Sequence, residues 1–152
     1  MIRIQAEPFD PAAELAKLAA DGAGAVVSFT GLVRGEGDAV HCLELSHYPG
    51  FTEKAVAEIA EAAKARFGID RLVIVHRYGR LAPGEPIVFV AVAAGHRRAA
   101  FDAVDYLMDR LKTGAPFWKK EEGPAGARWI EARPRDLRDA ARWSEDFHAA
   151  RN

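Results

Sequence analysis

Cys42 is the only cysteine in 152 residues, which excludes an internal disulfide and any Cys-x-x-Cys metal or redox motif and fits a reducing compartment. No apolar run approaches the roughly 20 residues that a membrane-spanning helix needs. The opening Met1-Ile2-Arg3-Ile4 lacks the charged-then-apolar layout of a secretory signal, so the expected location is the cytoplasm. Net charge is nearly absent as well, at −1; broad nucleic-acid binding, which shows as a strongly basic domain, is not expected, and any basic site must be local. Repeats, low-complexity stretches and an obvious linker are also lacking. With 49% hydrophobic and 28% charged residues, the composition suits one globular domain over 1–152 with a real core.

Short helical and strand patterns alternate along this chain. Ile2 to Gln5 reads as a strand, and Asp10-Pro11 supplies an N-cap and a good first residue for a helix to about Ala20, closed by Asp21-Gly22. Ala25 to Arg34 and Val40 to Tyr48 are β-rich, with Gly35-Glu36-Gly37-Asp38 as a hairpin connection. A helix over about Thr52 to Phe67 carries Ala55, Ile59, Ala62 and Ala63 on one stripe and stops at Gly68. Leu72 to Tyr78 and Ile87 to Ala94 flank the turn Leu81 to Pro86, and the second is so continuously apolar that it reads as a central strand with both faces buried. The helix His96 to Lys112 has Phe101, Val104, Leu107, Met108 and Leu111 as a core stripe. Phe117 to Glu122 and Arg128 to Ala132 read as a last hairpin, and Asp136 to His148 as a charged helix. Mixed helices and strands with several hairpins make the class α+β rather than a doubly wound parallel sheet.

Three clusters are candidates for chemistry. Leu111 to Glu121 sets Lys112, Lys119 and Lys120 around a Gly/Pro break between a helix and an aromatic strand. Two lysines converging on one pocket lower each other's pKa, and partial burial lowers it further; solvated surface lysines are the plainer alternative, favoured by composition alone. Strand alternation puts Phe117, Lys119 and Glu121 on one face and Trp118, Lys120 and Glu122 on the other, so only one of the two adjacent lysines can enter a given pocket. Gly95-His96-Arg97-Arg98 sits where a strand turns into a helix, a place where free N–H groups and the helix dipole attract anions; its alternative is a solvated turn. Ser28 to Arg34 ends in an arginine at a strand mouth, suited to bidentate phosphate recognition or else simply exposed. His41, His47, His76 and His148 show no metal spacing, and structural or surface roles are expected with no metal. Cys42 reads as a small buried side chain rather than a nucleophile.

In order, Phe29 to Arg34, His47 to Lys54, His76-Arg77-Tyr78-Gly79, Pro83-Gly84-Glu85, His96-Arg97 and Leu111 to Glu121 resemble the catalytic (large) subunit of molybdopterin synthase, over roughly Gly24 to Arg133. The resemblance implies an α/β hammerhead fold with an additional antiparallel β-hairpin subdomain. It also implies a homodimer that forms a heterotetramer with two small ubiquitin-like sulfur-carrier subunits, each ending in a Gly-Gly thiocarboxylate. Sulfur passes from that tail to cyclic pyranopterin monophosphate in two rounds, building the dithiolene of molybdopterin, and the chain needs no cofactor of its own. By matching position, Lys112 and Lys119 would be catalytic, Arg34, His96 and Arg97 would grip substrate, and Lys120 and Glu121 would line the same region. The chain departs from the family pattern at Gly114, where many members carry arginine, and in its short Gly35 to Asp38 loop.

At 1.5 Å rise per residue, His96 and Lys112 lie about 24 Å apart along one helix. If both serve one substrate, His96 and Arg97 come from a second subunit and the site straddles a two-fold interface. Two other readings of the residues stand beside this one: a non-catalytic module that docks an anion or an acidic partner, and a different enzyme acting on a phosphate substrate without a carrier protein.

Overall fold

Alternation of apolar side chains over Arg71–Arg77 (β4) and Pro86–Ala94 (β6) decides the architecture. On β4, Leu72 and Ile74 enter one core and Val73 and Val75 another. On β6, Val88, Val90 and Val92 join the first core, and Phe89, Ala91 and Ala93 the second. Strands buried on both faces must lie inside a sheet covered on both sides. The computed structural model describes residues 1–19, 22–69 and 71–144, and in it β6 is indeed central. The first sheet runs β1 (Ile2–Gln5), β4, β6, β2 (Ala25–Leu32); β1 is parallel to β4, and the other pairings are antiparallel.

Helices α2 (Phe51–Phe67) and α3 (Arg97–Gly114) cover one face, burying Val56, Ala60, Ala103 and Leu107 against it. Helix α1 (Pro11–Ala19) covers the other through Leu15 and Leu18. The expected start of α1 holds: Asp10 Oδ1 accepts the Ala12 N–H at 2.9 Å. Ala20 and Asp21, assigned from sequence to its end, lie outside the described residues. Gly68 closes α2 in the left-handed region at φ 62°, its N–H bonded to the Lys64 carbonyl, as the glycine stop requires.

The α+β class stands, and the additional antiparallel element is a full second sheet. Its order is β5 (Gly79–Leu81), β3 (Cys42–His47), β7 (Phe117–Gly123), β8 (Gly126–Ile130). The expected hairpin of β7 and β8 is present, closing at Gly123 opposite Gly126. The expected hairpin through Gly35 to Asp38 is not. β2 pairs with β6 and β3 with β5 and β7, so residues 33–41 carry the chain from one sheet to the other. Local β propensity marks both strands and says nothing of their partners. The strand β5 lies between the expected strand ending at Tyr78 and the expected turn beginning at Leu81; it is three residues long and begins at Gly79, φ 93°.

Two helical stripes are rotated from expectation. On α2 the buried positions are Thr52, Val56, Ala60 and Ala63, while Ala62 faces solvent. On α3 they are Ala100, Ala103, Val104, Tyr106, Leu107 and Leu111; Phe101 is 55% exposed. Alanines let α3 lie close to the sheet, so the small side chains rather than the large Phe101 mark its buried centre. The described part of the charged C-terminal stretch forms α4 (Pro134–Ala141), packed on α3; residues 145–148 of the expected helix lie outside the described residues.

Candidate active site

Two sheets, the last turn of α3 and the start of α4 enclose a cleft of about 840 Å³. Strand parity brings Phe117, Lys119 and Glu121 of β7 into it. Lys112 enters from the last turn of α3, where the negative end of the helix dipole favours a cation. Arg34 closes one side, just beyond the end of β2. Thr52 pins the junction between α3 and β7: its hydroxyl donates to the Pro116 carbonyl at 3.1 Å and accepts the Tyr48 N–H at 2.9 Å.

Lys119 is the most perturbed amine of the cleft. Burial is the main cause, since desolvation penalises the ammonium, and the neighbouring Lys112 charge adds to it; together they bring its pKa from 10.5 to about 8. Asp136 opposes the shift and Arg133 reinforces it, both from the C-terminal segment. Half of such a lysine is therefore neutral near pH 8, so this side chain can either stabilise a developing negative charge or carry a proton. Glu121 is not a free carboxylate: its Oε2 accepts Arg128 Nη2 at 3.0 Å and Nε at 3.3 Å across the hairpin.

Of the other residues expected here, Lys120 is a correction. Parity sends it to the opposite face of β7, where its Nζ lies 3.6 Å from Glu122, 4.0 Å from Glu44 and 5.9 Å above the Trp129 ring. Arg80 completes that external network with a 2.7 Å contact to Glu122. Lys120 therefore does not line the cleft. Nor do His96 and Arg97 of the same chain: both are exposed at the start of α3, an unbroken helix of 18 residues. His47, suggested as a pocket wall, instead stacks on Tyr78 with centroids 4.3 Å apart and meets Glu53 at 3.4 Å.

Two contributions escaped sequence reading. Arg133 and Asp136 bring the start of α4 to the cleft, although the expected charged helix begins only at Asp136 and leaves Arg133 outside it; the one local signal is Asp136 as the third residue of α4, where its carboxylate accepts the Arg133 N–H at 3.1 Å. His76 of β4 is the other, its ring stacked on Phe117 at 3.8 Å and 13°. Its signal was a histidine in an otherwise apolar run. Among the described residues no group of three or more His, Cys, Asp or Glu side chains comes together to hold a metal.

A half-buried lysine flanked by a second lysine and an arginine suits an anionic substrate. A family model described as MoaE protein matches residues 4–114. The molybdopterin synthase catalytic subunit of Caulobacter vibrioides is 52% identical over 148 residues, covering 96% of this chain and 99% of that one. Its counterpart from Pseudomonas aeruginosa is 54% identical, with 95% and 99% covered. Among solved structures, the molybdopterin biosynthesis MoaE protein from Burkholderia ambifaria superposes with a TM-score of 0.80 at 50% identity, covering 94% of this chain and 97% of that one. Likeness of this extent, running through both sheets and the lysine segment, means that the chain belongs to the MoaE family, the catalytic subunits of molybdopterin synthase.

Proposed function

We propose that this chain, as a molybdopterin synthase catalytic subunit, moves sulfur from the C-terminal thiocarboxylate of a small ubiquitin-like carrier subunit to cyclic pyranopterin monophosphate. Lys112 and Lys119 are the catalytic residues, and Arg34 and Glu121 border the same substrate. The observation that carries this assignment is the partial burial of Lys119 beside Lys112 in one cleft, with its pKa near 8.

In this reading the carrier's extended Gly-Gly tail enters the cleft, where glycines leave room for close approach to the wall. The thiocarboxylate sulfur bonds to a pterin side-chain carbon as a carbon–oxygen bond of that carbon breaks, the oxygen leaving with the electron pair and taking up a proton. Water then adds to the acyl carbon, the acyl carbon–sulfur bond breaks, the electron pair stays on sulfur as a pterin thiolate, and the carrier leaves as a carboxylate. Negative charge builds on the acyl oxygen during that addition, and an ammonium already positioned in a water-poor cleft stabilises it without reorganising. Neutral Lys119 takes the proton from the attacking water and later returns it to solvent. Two rounds place two sulfurs.

His96 and Arg97 join the grip on the substrate from a second copy of the chain, which makes the working unit a homodimer with composite sites and, with two carriers bound, a heterotetramer. No helix among the described residues is long and apolar enough to cross a membrane, and the cytoplasm is the proposed compartment. In a reconstituted assay with thiocarboxylated carrier and pyranopterin monophosphate, Lys119→Ala is expected to lose nearly all dithiolene formation. Near-normal transfer by that variant would overturn the assignment.

A further inference from the structure

Among the described residues, four polar side chains are buried: Glu14, Thr52, His76 and Arg77. Three are consumed by structure. Glu14 is paired with Arg3 and Lys17, Thr52 bridges Tyr48 and Pro116, and Arg77 bonds the Ala6 carbonyl and Glu85. His76 differs, because it also borders the cleft that holds Lys112 and Lys119, and the mechanism above gives it nothing to do.

Three contacts fix its ring and its tautomer. β4 carries it with a backbone held in register between β1 and β6, Ile4 on one side and Val88 on the other. The ring lies flat on Phe117, 3.8 Å between centroids, so rotation about its second torsion is blocked. Its Nδ1 is 2.9 Å from the Arg77 carbonyl; a carbonyl only accepts, so Nδ1 carries the hydrogen. The lone pair of the neutral ring is then on Nε2, the ring nitrogen that the Arg77 carbonyl does not engage. Phe117 and Lys119 stand on the same face of β7, two residues or about 7 Å apart, so the ring that stacks on Phe117 lies within reach of the Lys119 side chain.

We propose that His76 is a positioning residue of the sulfur-transfer site: its Nε2 lone pair accepts an N–H of Lys119 and thereby fixes the direction in which that amine meets the substrate. The inference rests on Lys119 being the catalytic amine. The titratable groups facing the ring are Lys119 from β7, Lys112 from α3 and His47 from β3. Burial first, then the charges of Lys119 and Lys112, keep the imidazole neutral with a pKa of about 4, against the opposing pull of the Arg77 carbonyl. A charged ring would donate from both nitrogens and push the ammonium away; only the neutral ring can accept. An acceptor also favours the ammonium form of its donor, so removing it should lower the pKa of Lys119.

The first test leaves the chain unaltered. Long-range proton–nitrogen correlation on protein labelled in its histidines should show His76 neutral and protonated at Nδ1 throughout pH 6–8. An imidazolium, or a hydrogen on Nε2, overturns the inference. The second compares variants in the reconstituted assay. His76→Phe keeps the stack on Phe117 and removes the acceptor; kcat should fall about tenfold, the magnitude of one lost hydrogen bond to a charged group, with KM for the carrier unchanged and the lysine limb of the pH profile moved to lower pH. His76→Gln, whose carboxamide oxygen accepts, should restore both. Wild-type kcat and pH profile in His76→Phe, or no recovery in His76→Gln, overturns the inference. Lys119→Ala run in parallel separates the two levels: its retained activity would remove the catalytic assignment itself, whereas its inactivity beside a wild-type His76→Phe would remove only the role of His76.

Discussion

The ammonium of Lys112, on the last turn of α3, helps hold the pKa of Lys119 on β7 near 8, second only to burial. The two groups come from different elements and meet because β7 leaves the helix at once, through Ala115 and Pro116. Removing the Lys112 charge should therefore raise the pKa of Lys119, and removing Asp136, which acts in the opposite sense, should lower it. Followed by NMR at its own side chain, the titration of Lys119 should move to higher pH in Lys112→Met and to lower pH in Asp136→Asn. An unmoved titration in both variants would mean that these two charges do not set the pKa of Lys119.

His76 also makes the fold sensitive to acid. Its pKa is about 4 in the folded chain and about 6.5 in the unfolded one, so between those values the unfolded chain binds the extra proton. Stability must then fall as pH drops from 6.5 to 4, by up to about 3 kcal/mol from this group. Denaturant unfolding at fixed protein concentration should show that slope in the wild-type chain and a shallower one in His76→Phe. Parallel slopes would show that the buried imidazole does not govern this window.

A single carboxylate oxygen holds the C-terminal wall of the cleft. Asp109 Oδ2 accepts Trp143 Nε1 at 2.6 Å, Arg142 Nη2 at 2.7 Å and Arg142 Nε at 3.0 Å. Arg66 seals the same corner, its guanidinium 5.6 Å from the Trp143 ring and its Nη1 donating to the Trp143 carbonyl at 2.9 Å. Asp109→Ala leaves a buried indole N–H without an acceptor and frees the end of α4, which should cost about 2–3 kcal/mol. Since α4 carries Asp136 and follows Arg133, substrate KM should rise more than kcat falls. An unchanged Tm together with unchanged KM would show that this wall stands without the clamp.

Sequence periodicity revealed what one strand or one helix can show by itself. The double-sided burial of β6, the αL stop at Gly68 and the parity of Lys119 against Lys120 follow from local geometry, and each agrees with the structure. Lys112, Lys119, Arg34 and Glu121 were legible as candidate residues, and all four line one cleft. Partnership between distant segments was not legible. β2 and β3 look like a hairpin because their propensities match, yet hydrogen bonding to β6 and β7 assigns them to different sheets. Phe101 follows the helical spacing of the core stripe, but the small faces of Ala100 and Ala103 take the place against the sheet. Arg133 and Asp136 reach the cleft only because α4 folds back onto α3, a long-range event that no local pattern records.

Distance along α3 makes the sharpest prediction about assembly. His96 and Arg97 begin an unbroken helix whose last turn carries Lys112, and a separation of about 24 Å cannot be spanned by two side chains gripping one small anion. Under the proposed two-fold arrangement, each cleft is completed by the other subunit's helix start. A chain with Lys112→Ala and a chain with His96→Ala are each expected to be inactive alone. Mixed and allowed to exchange, heterodimers form one site that carries both lesions and one that carries neither. With equal amounts and random exchange, about half of the dimers are mixed and each holds one intact site of two, so roughly a quarter of wild-type activity should return. Activity that stays at background, with exchange verified by tagged subunits, would mean that both residues serve the cleft of their own chain, and an active His96→Ala chain by itself would mean that His96 does not serve the substrate.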